Sequence, residues 1–215
     1  ADIGERLVQS AAARRRGSAG TFVREGKIYL VCGNNQGHNG GARPWFDEYD
    51  PVTQSWTALP DAPRARDHFL SVLIGDRLVL AGGRTTDLPN PFDGTVPEVD
   101  VYDFGTGTWS TLGEDIPTER AGTMAVPVGR YAVVVGGESD SQFVAPDATE
   151  ALDVVAARWV TLPPLVRGRH SGGIGVVDGR IYVASGSGNR GGTPELDTLE
   201  TIAASDALEA SGPSL

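Results

Sequence analysis

The chain has 215 residues, of which 40% are hydrophobic and 21% are charged, so it is long enough for one large domain or two small ones and is not a disordered chain. The 29 glycines and 14 prolines argue against a helical protein, and no apolar run is long enough to span a bilayer. A formal net charge of −10 disfavours nucleic acid and anionic membranes as partners, because both attract Lys and Arg.

The sequence repeats at intervals of about fifty residues, which is typical of solenoids and propellers. In every unit an arginine stands 17 residues before a glycine: Arg16 and Gly33, Arg66 and Gly83, Arg120 and Gly137, Arg169 and Gly186. A Tyr-Asp or Leu-Asp pair and a tryptophan follow in the first three units: Tyr49-Asp50 with Trp56, Tyr102-Asp103 with Trp109, and Leu152-Asp153 with Trp159. The spacing varies between the glycine and the tyrosine, so we expect insertions in that loop.

Each unit predicts four short strands in the same order. The first strand is rich in small residues, as in residues 18–23, and a hairpin turn such as Glu25-Gly26 follows it. The second strand is a continuous apolar run, such as residues 28–32, which indicates burial on both faces. After a variable loop, the third strand ends at the Tyr-Asp pair, and the fourth strand carries the tryptophan. When the four units are aligned, Leu199-Glu200 of the fourth unit falls in the same column as the Tyr-Asp pairs, and no tryptophan follows it at the expected spacing.

An arginine before a small-residue strand, a glycine doublet after an apolar strand, a Tyr-Asp pair and a spaced tryptophan together resemble the kelch repeat. The resemblance covers residues 16 to about 202, with departures at Cys32-Gly33, Ser185-Gly186 and Leu152. It implies an all-β fold, a kelch-type β-propeller with four recognisable four-stranded blades of which the last is incomplete.

The resemblance also implies boundaries within a single kelch propeller, or a segment of one, spanning residues 1–215. The parts are 1–15 as an N-terminal strand or tail, 16–65 as blade 1, 66–119 as blade 2, 120–168 as blade 3, 169–202 as blade 4, and 203–215 as a C-terminal tail. Residues 6–9 would supply the missing outer strand of blade 4 if the ring closes on itself. The other explanation, which we favour, is that the chain is part of a larger propeller.

The kelch resemblance implies a binding surface at one rim of the propeller. In kelch proteins that bind acidic peptides, the arginine that starts a repeat contacts the ligand, and the matching positions are Arg16, Arg66, Arg120 and Arg169. A guanidinium group suits this role, because it presents a planar fork of donors to a carboxylate. The alternative is structural: each arginine satisfies backbone carbonyls or the Tyr-Asp aspartate of a neighbouring blade.

The loops after the glycine doublets are the second set of candidates, since variable polar loops at a rim commonly carry ligand contacts. They comprise residues 34–45, 84–97, 138–149 and 187–194. The candidate binding residues here are Asn34, Asn35, His38, Arg84, Glu138, Asn189 and Arg190, and the rim histidines His68 and His170 follow two of the arginines. The alternative is an ordinary solvated loop.

Other chemistry finds little support in the sequence. Three histidines and one cysteine give no convergent metal-ligand pattern, so we expect no metal, cofactor or catalytic residue. Gly186, Gly188 and Gly191 match a dinucleotide-binding loop, but a strand-like stretch follows where that site needs a helix. Cys32 ends a buried strand and is expected to be inert.

Three functions are compatible with these features. The first is a module that binds a protein or peptide partner, possibly an acidic one. The second is a carbohydrate-binding or carbohydrate-active propeller, similar to the sialic acid mutarotase or to galactose oxidase without an evident copper site. The third is a structural spacer within a larger protein. The sequence does not indicate a compartment.

Overall fold

A computed structural model describes residues 14–204, which form fifteen strands in four antiparallel sheets and a short 3-10 helix at Gly37–Asn39. Blade 1 contains β1 (Gly20–Arg24), β2 (Lys27–Val31), β3 (Phe46–Asp50) and β4 (Ser55–Leu59). Blade 2 contains β5 (Val72–Ile74), β6 (Arg77–Leu80), β7 (Asp100–Asp103) and β8 (Thr108–Thr111). Blade 3 contains β9 (Met124–Val128), β10 (Tyr131–Val135), β11 (Thr149–Asp153) and β12 (Arg158–Thr161). Blade 4 contains β13 (Gly173–Val177), β14 (Arg180–Ala184) and β15 (Leu199–Ala203).

The strands of every sheet pair in sequence order, which is the blade of a β-propeller. The predicted all-β propeller is therefore confirmed, and blade 4 has three strands within residues 14–204. The predicted outer strand at residues 6–9 lies outside the described residues, as do 205–215 of the predicted tail. No helix in the described part of the chain is long and apolar enough to cross a membrane.

The predicted Tyr-Asp column of blade 4 is wrong by three residues. Asp103 pairs with Arg77 and Asp153 pairs with Tyr131, at the start of the second strand of their blades. In blade 4 the equivalent residue, Arg180, pairs with Ala203, so Ile202 and Ala203 occupy the column. Neither residue resembles Tyr or Asp, which is why the sequence pattern misplaced it. The tryptophan column of blade 4 accordingly falls at residue 209, beyond the described residues.

The glycine doublets form the joints between blades. The first residue of each doublet has a positive φ, between 56° and 70°, which Cys32 and Ser185 adopt as well as the glycines do. The N–H of the second residue donates to the carbonyl of the next blade's arginine, over 2.8 Å from Gly33 to Arg66 and 2.9 Å from Gly83 to Arg120. A Cβ on Gly33 would lie only 2.6 Å from the carbonyl oxygen of Gly17. The equivalent glycines of blades 2 to 4 approach the residue after their own blade's arginine as closely, so the 17-residue spacing follows from a repeated contact.

The hydrophobic core lies between neighbouring blades. Phe46 of blade 1 packs with Leu78 and Tyr102 of blade 2, and Trp109 contacts the Phe46 ring with centroids 5.7 Å apart. Trp109 Nε1 also donates to the Pro60 carbonyl of blade 1 over 2.8 Å. Trp109 thus packs between blades 1 and 2, and Trp159 packs against the next core cluster, which joins blades 2 and 3.

The Tyr-Asp aspartates have a local role in the hairpin that follows them. Asp50 accepts hydrogen bonds from the amides of Val52 and Thr53, at 2.8 Å and 3.2 Å, and these bonds lower the pKa of Asp50. Asp103 and Asp153 accept the same pair of amide bonds in blades 2 and 3. The column therefore specifies the turn between the third and fourth strands.

Candidate binding rim

Strand order places the candidate residues at one end of the blades. Because consecutive strands are antiparallel, the β1–β2 and β3–β4 hairpins of a blade lie at one end, and the β2–β3 loop and the connection to the next blade lie at the other. We call the end with residues 34–45, 84–97, 138–149 and 187–194 the loop rim, and the opposite end the turn rim.

The four repeat-start arginines have side chains with no exposed surface, and each pairs with a carboxylate on the third strand of its own blade. The pairs are Arg16–Asp47 at 2.6 Å, Arg66–Asp100 at 2.7 Å, Arg120–Glu150 at 2.6 Å and Arg169–Glu200 at 2.5 Å. Each acid stands three residues before the Asp column, so the partner is not the Tyr-Asp aspartate of a neighbouring blade that the sequence suggested.

Backbone carbonyls take further donors of these guanidinium groups. Arg120 donates to Gly136 over 2.7 Å and to Val134 over 3.2 Å, and Arg16 donates to Cys32 over 2.6 Å and to Leu30 over 2.8 Å. Burial lowers the pKa of Arg120, and Glu150 opposes that shift. These contacts agree with the alternative in which the arginines satisfy backbone carbonyls. A ligand-binding role for the four arginines stays a prediction.

Five of the predicted residues line one cavity of about 680 Å³ on the loop rim, which we call the blade 1 pocket. They are Arg16, Asn34, Asn35, His38 and His68. Arg15 and Trp45, which the sequence analysis did not single out, line it as well. The rings of His38 and His68 lie with their centroids 5.5 Å apart.

The other loop candidates meet around the buried carboxylate of Glu138. Its Oε1 accepts a hydrogen bond from Arg84 over 2.8 Å, and its Oε2 accepts one from the amide of Gly191 over 3.0 Å. His170 Nε2 lies 3.6 Å from Oε2 and 2.9 Å from the carbonyl oxygen of Asn189. The loops of blades 2, 3 and 4 are therefore linked through one side chain, and we call them together the loop platform.

Two contacts extend the loop platform. Arg190 donates to Asp140 over 2.8 Å, which joins the loops of blades 3 and 4 a second time. The guanidinium groups of Arg84 and Arg190 lie 4.9 Å and 5.3 Å from the centroid of Phe92. Phe92 was not predicted as a site residue, since its role depends on residues more than a hundred positions apart.

Asp67 connects the blade 1 pocket to the loop platform. Its carboxylate is hydrogen-bonded to His68 Nδ1 and accepts a 2.6 Å bond from Thr86 Oγ1, which in turn accepts a bond from Arg84 Nε over 3.2 Å. Burial works against ionisation of Asp67, but the bonds from His68 and Thr86 outweigh it and lower the pKa of Asp67. A buried carboxylate thus holds the His68 ring in place.

The comparisons with known proteins agree with this architecture. The chain is 30% identical over 196 residues to the kelch-like protein terF of Aspergillus terreus, a match covering 87% of this chain and 42% of that protein. It is 28% identical over 194 residues to an F-box/kelch-repeat protein of Arabidopsis thaliana, covering 84% of this chain and 47% of the relative. Alpha-scruin of Limulus polyphemus is 29% identical over 164 residues, covering 75% of this chain and 17% of that protein.

The chain is a kelch-repeat β-propeller. It spans less than half the length of these curated relatives. No protein-family model matches the sequence. The solved structure of YjhT shares the fold, with a TM-score of 0.70 at 21% identity, covering 82% of this chain and 60% of that one.

The loops of this kelch propeller also expose apolar side chains that the sequence analysis did not propose. Leu88, Phe143 and Val144 are 63%, 62% and 55% exposed. Val144 pairs with Asn189 in an isolated β-bridge, and the Phe143 carbonyl accepts the Arg190 amide over 2.8 Å. Two apolar side chains are therefore presented on backbone that the platform holds.

Within residues 14–204, no group of three or more His, Cys, Asp or Glu side chains is arranged to hold a metal ion. The glycines of the dinucleotide-like motif lie in the loop of blade 4, where the Gly188 amide donates to the Pro194 carbonyl over 2.9 Å and a strand, β15, follows.

Proposed function

We propose that this kelch propeller is an interaction module that binds a protein or peptide partner through its loop rim. The observation that carries the proposal is the loop platform: three loops linked by Glu138, with Phe143, Val144 and Leu88 exposed beside charged side chains. Exposed aromatic and aliphatic side chains within a polar rim are the composition of a protein interface.

The buried links of the platform favour binding energetically. Arg84 and Glu138 are 2% and 4% exposed, so the loops that they join are ordered before a partner arrives. A preorganised surface loses less conformational entropy on association than free loops do. The three named kelch relatives support the same class of function only through their repeats, and their own partners are not carried over to this chain.

The proposal is tested by selecting peptides from a random phage-displayed library on the immobilised chain. The dissociation constant of a selected peptide is then measured by calorimetry for the wild type and for Phe143→Ala and Leu88→Ala. We expect Phe143→Ala to weaken binding about tenfold or more, which is about 1.4 kcal/mol.

The matched control is Val155→Ala, because Val155 is 71% exposed but lies in the β11–β12 hairpin on the turn rim. It should leave both the affinity and the melting temperature unchanged. Failure to select any peptide, or equal weakening by Phe143→Ala and Val155→Ala, would contradict a loop-rim interface.

A further inference from the structure

The five asparagines of the chain differ in the residue that follows them. They stand at positions 34, 35, 39, 90 and 189, and Asn39 alone is followed by a glycine. The backbone nitrogen of the following residue can attack the side-chain Cγ of an asparagine, which closes a five-membered succinimide ring and releases ammonia. A side chain on the following residue hinders this attack, whereas glycine has no Cβ. The sequence therefore favours the reaction at Asn39-Gly40.

Neither reacting group of this pair is held by a hydrogen bond within residues 14–204. Asn39 is the exposed last residue of the 3-10 helix, and its own N–H donates to the Gln36 carbonyl over 3.2 Å. Its side-chain amide and the N–H of Gly40 have no such partner in the described part of the chain. No hydrogen bond therefore has to break before the Gly40 nitrogen attacks.

Each of the other four asparagines lacks one of these conditions. Asn34 is 4% exposed, and Asn90 precedes a proline, which has no N–H. Asn35 is exposed, but a glutamine follows it. The N–H that follows Asn189 donates to the Phe143 carbonyl over 2.8 Å within the loop platform. These four positions are internal controls on the same chain.

Gly40 lies against the loop of blade 2. Its φ is 108°, and a Cβ on it would lie 3.2 Å from Asp87 Oδ1 and 3.4 Å from the Thr86 carbonyl oxygen. This contact buries Gly40, although Asn39 is exposed. Closing the ring therefore requires a local opening between the loops of blades 1 and 2, and such an opening costs less free energy than unfolding of the whole domain.

We propose that Asn39 is a site of spontaneous deamidation, which replaces a neutral amide on the loop rim by a carboxylate. The Gly40 nitrogen loses its proton to hydroxide and forms a bond to Cγ of Asn39, while the Cγ–Nδ2 bond breaks and Nδ2 takes up a proton and leaves as ammonia. Water then opens the ring at either of its two carbonyls and leaves aspartate or isoaspartate at position 39. The inference does not depend on which partner the rim binds.

The product changes the contact between the two loops. Either form adds a negative charge to a chain of net charge −10, on the residue beside Gly40, which packs near Asp87. Like charges at short range repel. Isoaspartate also lengthens the main chain by a methylene group where Gly40 already fits closely against blade 2. We expect the loop of blade 1, residues 34–45, to separate from the loop of blade 2, residues 84–97.

The rate of the reaction should rise with pH, because the attacking nitrogen has to lose its proton. The titratable and charged side chains around the pair are His38 on the same loop, Arg15 on the segment before β1, His68 of blade 2, whose ring centroid lies 5.5 Å from that of His38, and Asp87. None of them takes part in the reaction, which draws on hydroxide from solvent. The rate should therefore increase continuously between pH 7 and pH 9.

The test is peptide mapping by mass spectrometry after the folded chain has been incubated at pH 7, 8 and 9. Trypsin leaves residues 28–64 as one peptide, because Arg43 precedes a proline, and the fragment ions of this peptide separate Asn34, Asn35 and Asn39. We expect Asn39 to convert at least about tenfold faster than any of the other four asparagines, since its attack geometry is the least hindered. A sample digested without incubation gives the background.

Asn39→Gln is the decisive variant, because the longer side chain would have to close a six-membered ring, and it should stay unconverted at that position. Asn35→Gln is the matched control on the same loop and should leave the conversion of Asn39 unchanged. Asn39→Asp carries the charge of the product without the longer main chain. Amide hydrogen exchange of residues 84–97 should therefore be fastest in the incubated wild type, slower in Asn39→Asp and slowest in the fresh wild type.

The outcomes are distinct from those of the peptide selection. Conversion of Asn39 no faster than that of Asn35, or a rate independent of pH, would overturn the proposed site. So would conversion that occurs in urea but not in the folded chain, because the fold would then block the reaction. Unchanged hydrogen exchange of residues 84–97 after conversion would refute the predicted effect on the rim. These measurements use no partner, so their failure leaves the proposed function standing, and a failed peptide selection leaves this inference standing.

Discussion

Replacement of Arg120 by alanine tests whether the repeat-start arginines hold the blades together. The variant leaves Glu150, which is 4% exposed, as a buried carboxylate without its cation, and it removes donors from the carbonyls of Gly136 and Val134. Loss of one partner of a buried ion pair destabilises by about 3–5 kcal/mol. For a domain of this size, that corresponds to a melting temperature lower by about 6–20 °C.

The assay is calorimetric or circular-dichroism melting beside two matched variants. Arg130→Ala removes an exposed arginine that pairs with Asp153 in the same blade and should melt close to the wild type. Arg120→Met combined with Glu150→Leu should recover part of the lost stability, because a buried ion pair can be replaced by apolar side chains. An Arg120→Ala protein that melts like the wild type but no longer binds a rim peptide would refute the structural role.

Three further changes test other parts of the structure. Gly137→Ala should destabilise the protein by about 2–5 kcal/mol, because the new Cβ would lie 2.8 Å from the carbonyl oxygen of Ala121 at a φ of +135°. Gly129→Ala, at a φ of +56° with open space around the position, should destabilise it by about 1–2 kcal/mol. Equal losses of stability in urea titrations would contradict the close approach at Gly137. Burial raises the pKa of Cys32 to about 12, so at pH 8 about one thiol in ten thousand is ionised and a disulfide reagent should react only after unfolding; rapid stoichiometric reaction of the native chain would be inconsistent with that burial. The pKa of Asp67 is lowered in the folded state, so its ionised form stabilises the fold fully above its ordinary pKa of 3.8, and this stabilisation is lost as the pH falls through the folded-state pKa. The difference in unfolding free energy between wild type and Asp67→Asn should therefore shrink between pH 7 and pH 2.5. A constant difference would argue against an ionised Asp67.

The parts of the fold with a local cause were predictable from the sequence. A glycine preceded by Gly, Cys or Ser follows the second strand of each blade, and an aspartate after Tyr or Leu specifies the hairpin of blades 1 to 3. A continuous apolar run marks each second strand, so the four blades could be assigned from short motifs. The third strand of blade 4 could not be aligned in this way, because Ile202 and Ala203 replace the Tyr-Asp pair and neither residue is typical of a turn.

The candidate site depends on long-range contacts that no motif encodes. Each arginine meets its carboxylate across 30–34 residues, and either Asp or Glu serves in that position. Arg84 and Glu138 are 54 residues apart, and Glu138 and Gly191 are 53 apart. The loop residues were correctly placed in one region by the repeat, but their division between a pocket and a platform required the geometry of the blades.

Amide hydrogen exchange of the chain with and without a library-selected peptide tests most directly the claim that the loop rim is the binding surface. We expect slower exchange in residues 138–149 and 187–194, with unchanged exchange in the hairpins of the turn rim. Protection confined to the turn rim would contradict it.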